Sequence, residues 1–272
     1  MGTINILDYE AKPKSPEPWD GKRRLRFMFI RTSVHDYTTS YSHELLDEME
    51  TLGLLNDIDW DYDPGPVGPL VETREDLLEV SWGVLQRVRA ASESGRYDAI
   101  VIQGGLDPVL YQAREVSNVP VLGCGNSAMH IASLLGHRFS IIDTLECMAI
   151  MFRENSRLYQ FDHKLASVRS IEFPVREVMR KERKPELVEA LEWQASEAIA
   201  KDGADTLILG CTALSWLVPH VRGRLAERGL DVPVIEPIHA AVTLARSLVT
   251  MHLNHSRLAY PSNKPKERAI PR

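Results

Sequence analysis

The sequence predicts an α/β protein of two similar lobes, each a parallel sheet flanked by helices, related by a pseudo-two-fold axis with the site in the cleft between them. Two observations carry this. Short, nearly all-apolar strand candidates alternate with amphipathic helix candidates, the pattern of parallel sheets covered on both faces. In addition, part of the chain repeats: "YDAIVIQGGLDPVL" (97–110) aligns with "ADTLILGCTALSWL" (204–217) when Asp98 is set on Asp205. A chain of 272 residues is long enough to bury a proper core in such an arrangement.

The elements follow in order. Residues 1–22, rich in Pro, Lys and Glu, read as an arm. "RLRFMFI" (24–30) is a strand, and "SYSHELLDEMETLG" (40–53) a helix that stops at glycine. "LLEVSWGVLQRVRAASESG" (77–95) is a helix, followed by the strands "DAIVIQG" (98–104) and "VPVLG" (119–123). A helix from "SAMHIASLL" (127–135) leads to the strand "RFSIID" (138–143). "PELVEALEWQASEAIAKDG" (185–203) is a long helix, "DTLILG" (205–210) and "VPVIEP" (232–237) are strands, and "HAAVTLARSLVTMHL" (239–253) is a closing helix. The basic, proline-punctuated segment 253–272 reads as a tail. Arm and tail are expected at the surface or in contacts of a homo-oligomer. The expected division is lobe 1 at 23–133 plus 237–252 and lobe 2 at 134–236.

Each copy of the repeat follows a helix ending near a glycine and leads through a helix to "VPV" (119–121 and 232–234) and an alanine-rich helix. In this register Cys211 falls on Gly104. Two related halves place these strand tips opposite each other, with a thiol on one wall and no side chain on the other. Ligands of open parallel sheets bind at such carboxyl-terminal strand ends.

Composition narrows the partners. With 44% hydrophobic and 26% charged residues the chain is an ordinary globular protein, and its net charge of −6 gives no reason to expect nucleic acid or an anionic membrane surface. No apolar run approaches the ~18 residues of a membrane helix. The N-terminus lacks the apolar core and cleavage site of a secretory signal. Three cysteines, Cys124, Cys147 and Cys211, cannot all pair within one chain, which fits a reducing cytoplasm.

The segments "GPVGPLVET", "YDAIVIQGGLDP", "VPVLGCGNSAMHIASLLGHRFSI" and "GADTLILGCTAL", spanning roughly residues 65–240, resemble the aspartate/glutamate/hydantoin racemase superfamily, most closely its hydantoin racemase branch. The resemblance implies a cofactor-independent enzyme, with no metal, in which two cysteines at equivalent strand tips face each other across the cleft. One removes the proton α to a carbonyl and the other returns it on the opposite face. Cys211 matches the second thiol. Gly104, in "QGGLDP", stands where the first belongs, as in the arylmalonate decarboxylase branch, which also keeps only the second thiol.

A thiol titrates near ~8.5, close enough to neutrality to exchange protons with carbon once its surroundings shift it. Cys211 has that chemistry at a strand tip, where following N–H groups would stabilise an enolate oxygen. It also fits as a small buried hydrophobe. Thr212 adds a hydroxyl for a substrate carboxylate or amide. Gly104 and Gly105 make a tight turn and leave room for a bulky group, such as a departing carboxylate. Cys124 is a candidate displaced second thiol, while Cys147 reads as a core or helix residue. Asn126 and Ser127 sit at a helix start, where they cap N–H groups or grip an anion. Arg31, Thr32 and Ser33 follow the first strand, and an arginine there suits a carboxylate. His35, His130 and His239 read as structural or solvated.

The expected activity is therefore racemase- or isomerase-type enolate formation α to a carboxylate or amide carbonyl of a small hydantoin- or amino-acid-like substrate, with Cys211 as acid/base. The alternative is a single-cysteine decarboxylase of a malonate-type acid. Two minor readings stand beside these. "GCGNSA" is G-x-G-x-x-A after a strand, with Asp143 ending the next strand, the pattern of an NAD-binding oxidoreductase. A non-catalytic receptor would use the same cleft without chemistry.

Overall fold

The computed structural model describes residues 18–33, 46 and 49–261. Among the described residues, eight strands form two four-stranded parallel sheets. The first contains β1 (Leu25–Arg31), β2 (Ile58–Asp63), β3 (Ala99–Gln103) and β4 (Val121–Gly123), in the order β2-β1-β3-β4. The second contains β5 (Phe139–Asp143), β6 (Leu165–Ser170), β7 (Thr206–Leu209) and β8 (Val234–Ile235), in the order β6-β5-β7-β8. The order is the same in both, so the repeat extends beyond the aligned segments to β1 with β5 and β2 with β6.

The apolar runs of the central strands have a direct cause. In β1 and β3, Phe27, Phe29, Ala99 and Val101 pack on one face with Ile238, Ala241 and Ala245 of the helix Pro237–Thr250. Met28, Ile30, Ile100 and Ile102 pack on the other face with Val84 and Val88 of the helix Arg74–Glu93. In β5 and β7, Ile142, Leu207 and Leu209 meet the helix Lys184–Asp202, and Phe139, Ile141 and Ile208 meet the helices Cys124–Leu135 and Glu146–Leu158. A strand covered on both faces has no position at which a polar residue is free of cost.

Chain ends of helices follow local rules. Thr73 and Asp76 form a capping box on the helix Arg74–Glu93. Gly203, at φ +71°, supplies the left-handed residue that ends the helix Lys184–Asp202.

Several expectations shift. The strands β2 ("IDWDYD") and β6 ("LASVRS") were not expected, because each is a partly exposed sheet edge with no apolar run. The helix expected from residue 127 begins at Cys124. Its residues Ala128, Met129 and Ala132, allotted to the first lobe by sequence, pack against the second sheet, while the helix Pro237–Thr250 packs against the first. Of the helix expected over 40–53, Leu46 and residues 49–51 are helical, and the rest lies outside the described residues, as do most of the arm and residues 262–272 of the tail. Among the described residues no helix is long and apolar enough to cross a membrane.

Candidate active site

The carboxyl ends of β3 and β7 meet at two glycines. A Cβ on Gly105 would lie 1.9 Å from the Gly210 carbonyl oxygen, so the backbones touch here only because Gly105 carries no side chain. Beside this contact opens a cavity with about 670 Å³ of empty space, mouth included. It brings together Arg31, Thr32, Ser33, Gly104, Gly105, Cys211 and Thr212, and adds Asp143, which ends β5. Leu70, Val71, Leu77 and Phe152 make its apolar side.

Cys211 sits where β7 gives way to the 3-10 turn Thr212–Leu217. Burial first, and then the Asp143 carboxyl beside it, push its thiol well above the ordinary cysteine range. The Ala213 N–H and the Arg31 guanidinium pull the other way without offsetting this, and Glu72 adds a further push upward. The resting form is the neutral thiol, a proton donor.

Asp143 is fully buried. Its Oδ1 accepts from the Thr144 N–H at 2.6 Å and the Thr144 hydroxyl at 2.9 Å, while Oδ2 has no hydrogen-bond partner among the described residues. Burial raises its carboxyl to about 6. A carboxyl and a thiol in one cavity, with protonation equilibria far apart, are the ingredients of acid/base chemistry.

The wall opposite Cys211 is not bare. A Cβ on Gly104 would lie 2.3 Å from Cγ2 of Thr32, so the Thr32 methyl fills the space expected there for a departing group. The same methyl occupies the room that a side chain at 104 would need.

The other sequence candidates lie elsewhere. Cys124 is the first helical residue; it is fully buried among the side chains of the first sheet and donates from Sγ to the Ile102 carbonyl at 3.2 Å. Burial pushes its thiol well above the usual range, and the nearby Asp107 and Glu236 carboxyls add to the effect. Asn126 and Ser127 do not cap their helix, which starts two residues earlier. The Asn126 Oδ1 accepts from Arg114 at 3.0 Å, and Ser127 is fully buried. Cys147 lies on a helix, as expected, but is exposed rather than in the core, and donates to the Glu72 carbonyl at 3.0 Å. His130 contacts the Asn126 carbonyl, the His239 N–H donates to Glu236, and neither lines the cavity; His35 lies outside the described residues.

Sequence reasoning missed Asp107. This buried carboxyl accepts from the Gly125 N–H at 2.8 Å, the Asn126 N–H at 2.6 Å and the Tyr159 hydroxyl at 3.1 Å. It caps the helix Cys124–Leu135 from the loop after Gly104-Gly105 and so ties that loop to β4. Desolvation raises it to about 7 against these donors. The same contacts overturn the dinucleotide reading. The N–H groups that a pyrophosphate would use are taken by Asp107, and a Cβ on Gly123 would lie 2.4 Å from its carboxyl oxygen. Asp143 moreover belongs to the second sheet, whereas the ribose-binding acid of that motif ends the strand beside the glycine-rich turn.

Comparison with known proteins places these features. Residues 55–245 match the Asp/Glu/Hydantoin racemase family. The chain is 33% identical over 186 residues to a hydantoin racemase of Rhizobium meliloti, covering 67% of this chain and 73% of that protein. An allantoin racemase from Pseudomonas fluorescens shares its structure with a TM-score of 0.80 and 26% identity, over 90% of this chain and 100% of the other. The fold extends to an arylmalonate decarboxylase, with a TM-score of 0.51 and 17% identity over 83% and 92% of the two chains. The paired sheets of identical strand order, the cavity at their touching tips and the matched sequence agree in one assignment: the chain belongs to the Asp/Glu/hydantoin racemase family.

Proposed function

We propose that this racemase-family enzyme forms an enolate α to a carbonyl of a hydantoin-like small molecule, with Cys211 as the acid/base group. The observation that carries the reading is the position of Cys211: a thiol kept neutral, at the tip of β7, lining a cavity built from both sheets. The hydantoin-like substrate rests on the names of the similar proteins. Arg31 and the N–H groups following β3 and β7 offer positive potential to the enolate oxygen as charge develops on it. In the racemase passage a solvent-borne base takes the α-proton from the face away from Cys211. The Cys211 thiol donates its proton to that carbon on its own face, and the thiolate so formed recovers a proton from solvent. In the reverse passage the thiolate is the base. The reading needs no cofactor.

A second reading is favoured by Gly104. With the methyl of Thr32 where a side chain at 104 would stand, this wall carries no thiol, and a single proton donor is all that decarboxylation of a malonate-type acid requires. Incubation in D2O separates the two. A resolved 5-substituted hydantoin that loses optical activity while gaining α-deuterium supports the first. Release of CO2 from an arylmalonate, with one deuterium in a chiral product, supports the second. Absence of turnover with both would sink the enolate mechanism.

A further inference from the structure

The two sheets present unlike charges to the cavity. Arg31 ends β1 beside Gln103 of β3, and Ile142 of β5 pairs with Leu209 of β7, which sets Asp143 beside Gly210. Setting Asp98 on Asp205 puts Gln103 on Gly210, so Arg31 and Asp143 are equivalent positions of the repeat. Both line the cavity, and Cys211 and Gly104 belong to the same lining. The cavity thus takes a cationic group from the first sheet and an acidic group from the second, and both act on Cys211.

Asp143 is the unusual partner. Thr144 holds one carboxyl oxygen in place with two donors, and the other has none. A buried carboxylate oxygen without a donor is costly, and native proteins keep few of them. That oxygen lies over Gly210, at 2.5 Å from where a Cβ would be, so any side chain at 210 would cover it. Glycine, itself part of the cavity lining, puts no side chain over it.

We propose that Asp143 is a specificity-determining residue, whose unpartnered oxygen accepts an N–H of the substrate while Arg31 faces a carbonyl or carboxylate oxygen of the same molecule. The inference rests on the enolate reading above and narrows its substrate class. The site takes a molecule carrying an acyl N–H beside the reacting carbon, a ureide or amide. It disfavours a dicarboxylate, whose second negative charge would face Asp143.

The test uses the full-length protein and its near-isosteric variant Asp143→Asn, with Asp143→Thr as a second probe. Circular dichroism checks that both fold. Three ligands are compared by KM or Kd: a 5-alkylhydantoin, its N1-methyl derivative and an alkylmalonate. In the wild type, N1-methylation weakens binding roughly 10- to 100-fold, the range for a hydrogen bond to a charged group. In Asp143→Asn and Asp143→Thr that penalty largely disappears and the alkylmalonate binds more tightly than in the wild type. Equal N1-methyl penalties in wild type and variants, or alkylmalonate affinity unchanged by the substitutions, would overturn the assignment of Asp143. A wild type that binds both hydantoins and exchanges no α-proton in D2O instead overturns the enolate reading, and leaves the binding comparison to decide Asp143.

Discussion

Gly104→Cys puts a thiol at the tip where the sequence resemblance expects one, and the structure bears on the cost. Gly104 does not need a left-handed backbone, so the substitution carries no conformational penalty and its cost is steric. The new Cβ would lie 2.3 Å from Cγ2 of Thr32, whereas carbon atoms rest at roughly 3.5–4.0 Å. An overlap exceeding about 1 Å against a stiff β-branched side chain belongs with overpacking changes, which cost about 1–3 kcal/mol. Thr32→Ser removes Cγ2 alone and keeps the hydroxyl. The double variant should recover most of the loss, giving a coupling of about 1–3 kcal/mol in a double-mutant cycle by urea unfolding. The D2O assay then asks whether the relieved double variant racemises faster than Gly104→Cys alone. The reasoning fails if Gly104→Cys is as stable as wild type, or if the coupling is zero within error.

Other outcomes follow from the same geometry. Cys211→Ala should abolish turnover and scarcely change the urea midpoint, and an active variant would remove the thiol from the mechanism. Cys124→Ala should do the reverse, keeping activity while losing about 1–3 kcal/mol from the core of the first sheet, as read by urea unfolding. Gly105→Ala should destabilise more than Gly104→Ala, because its Cβ meets a backbone carbonyl at 1.9 Å rather than a side chain. Equal unfolding midpoints would contradict that ranking. Asp107 titrates at about 7 in the fold against an ordinary 3.8. Its folded form holds the proton more tightly, so its contribution to stability is full below about pH 4 and is lost as pH rises through 7. The loss is on the order of 4 kcal/mol. Wild-type stability measured against Asp107→Asn should therefore decline across pH 4–7, and a difference independent of pH would refute the buried-acid account.

Much of the fold was legible because burial writes itself into composition. The strands β1, β3, β5 and β7 are covered on both faces, so their apolar runs stand out, and the Asp98–Asp205 register carried the repeat to Cys211 opposite Gly104. The edge strands β2 and β6 left no such mark, since half-exposed positions tolerate "IDWDYD" and "LASVRS". Asp143 was visible, but its neighbours along the chain suggested a ribose. Strand order, which no local pattern encodes, set it beside Gly210 in the lining that holds Cys211.

From the sequence alone came the α/β class, the internal repeat, the central strands and the thiol at the tip of β7, all properties set by periodicity and burial along the chain. Tertiary structure decided that the wall facing that thiol is filled by the Thr32 methyl, that Asp107 rather than Asn126 caps the helix after β4, and that Cys124 belongs to the core. It also decided that Arg31 and Asp143 share one cavity. Each of these depends on contacts between segments far apart in sequence, where distance in space, not residue type, sets the chemistry.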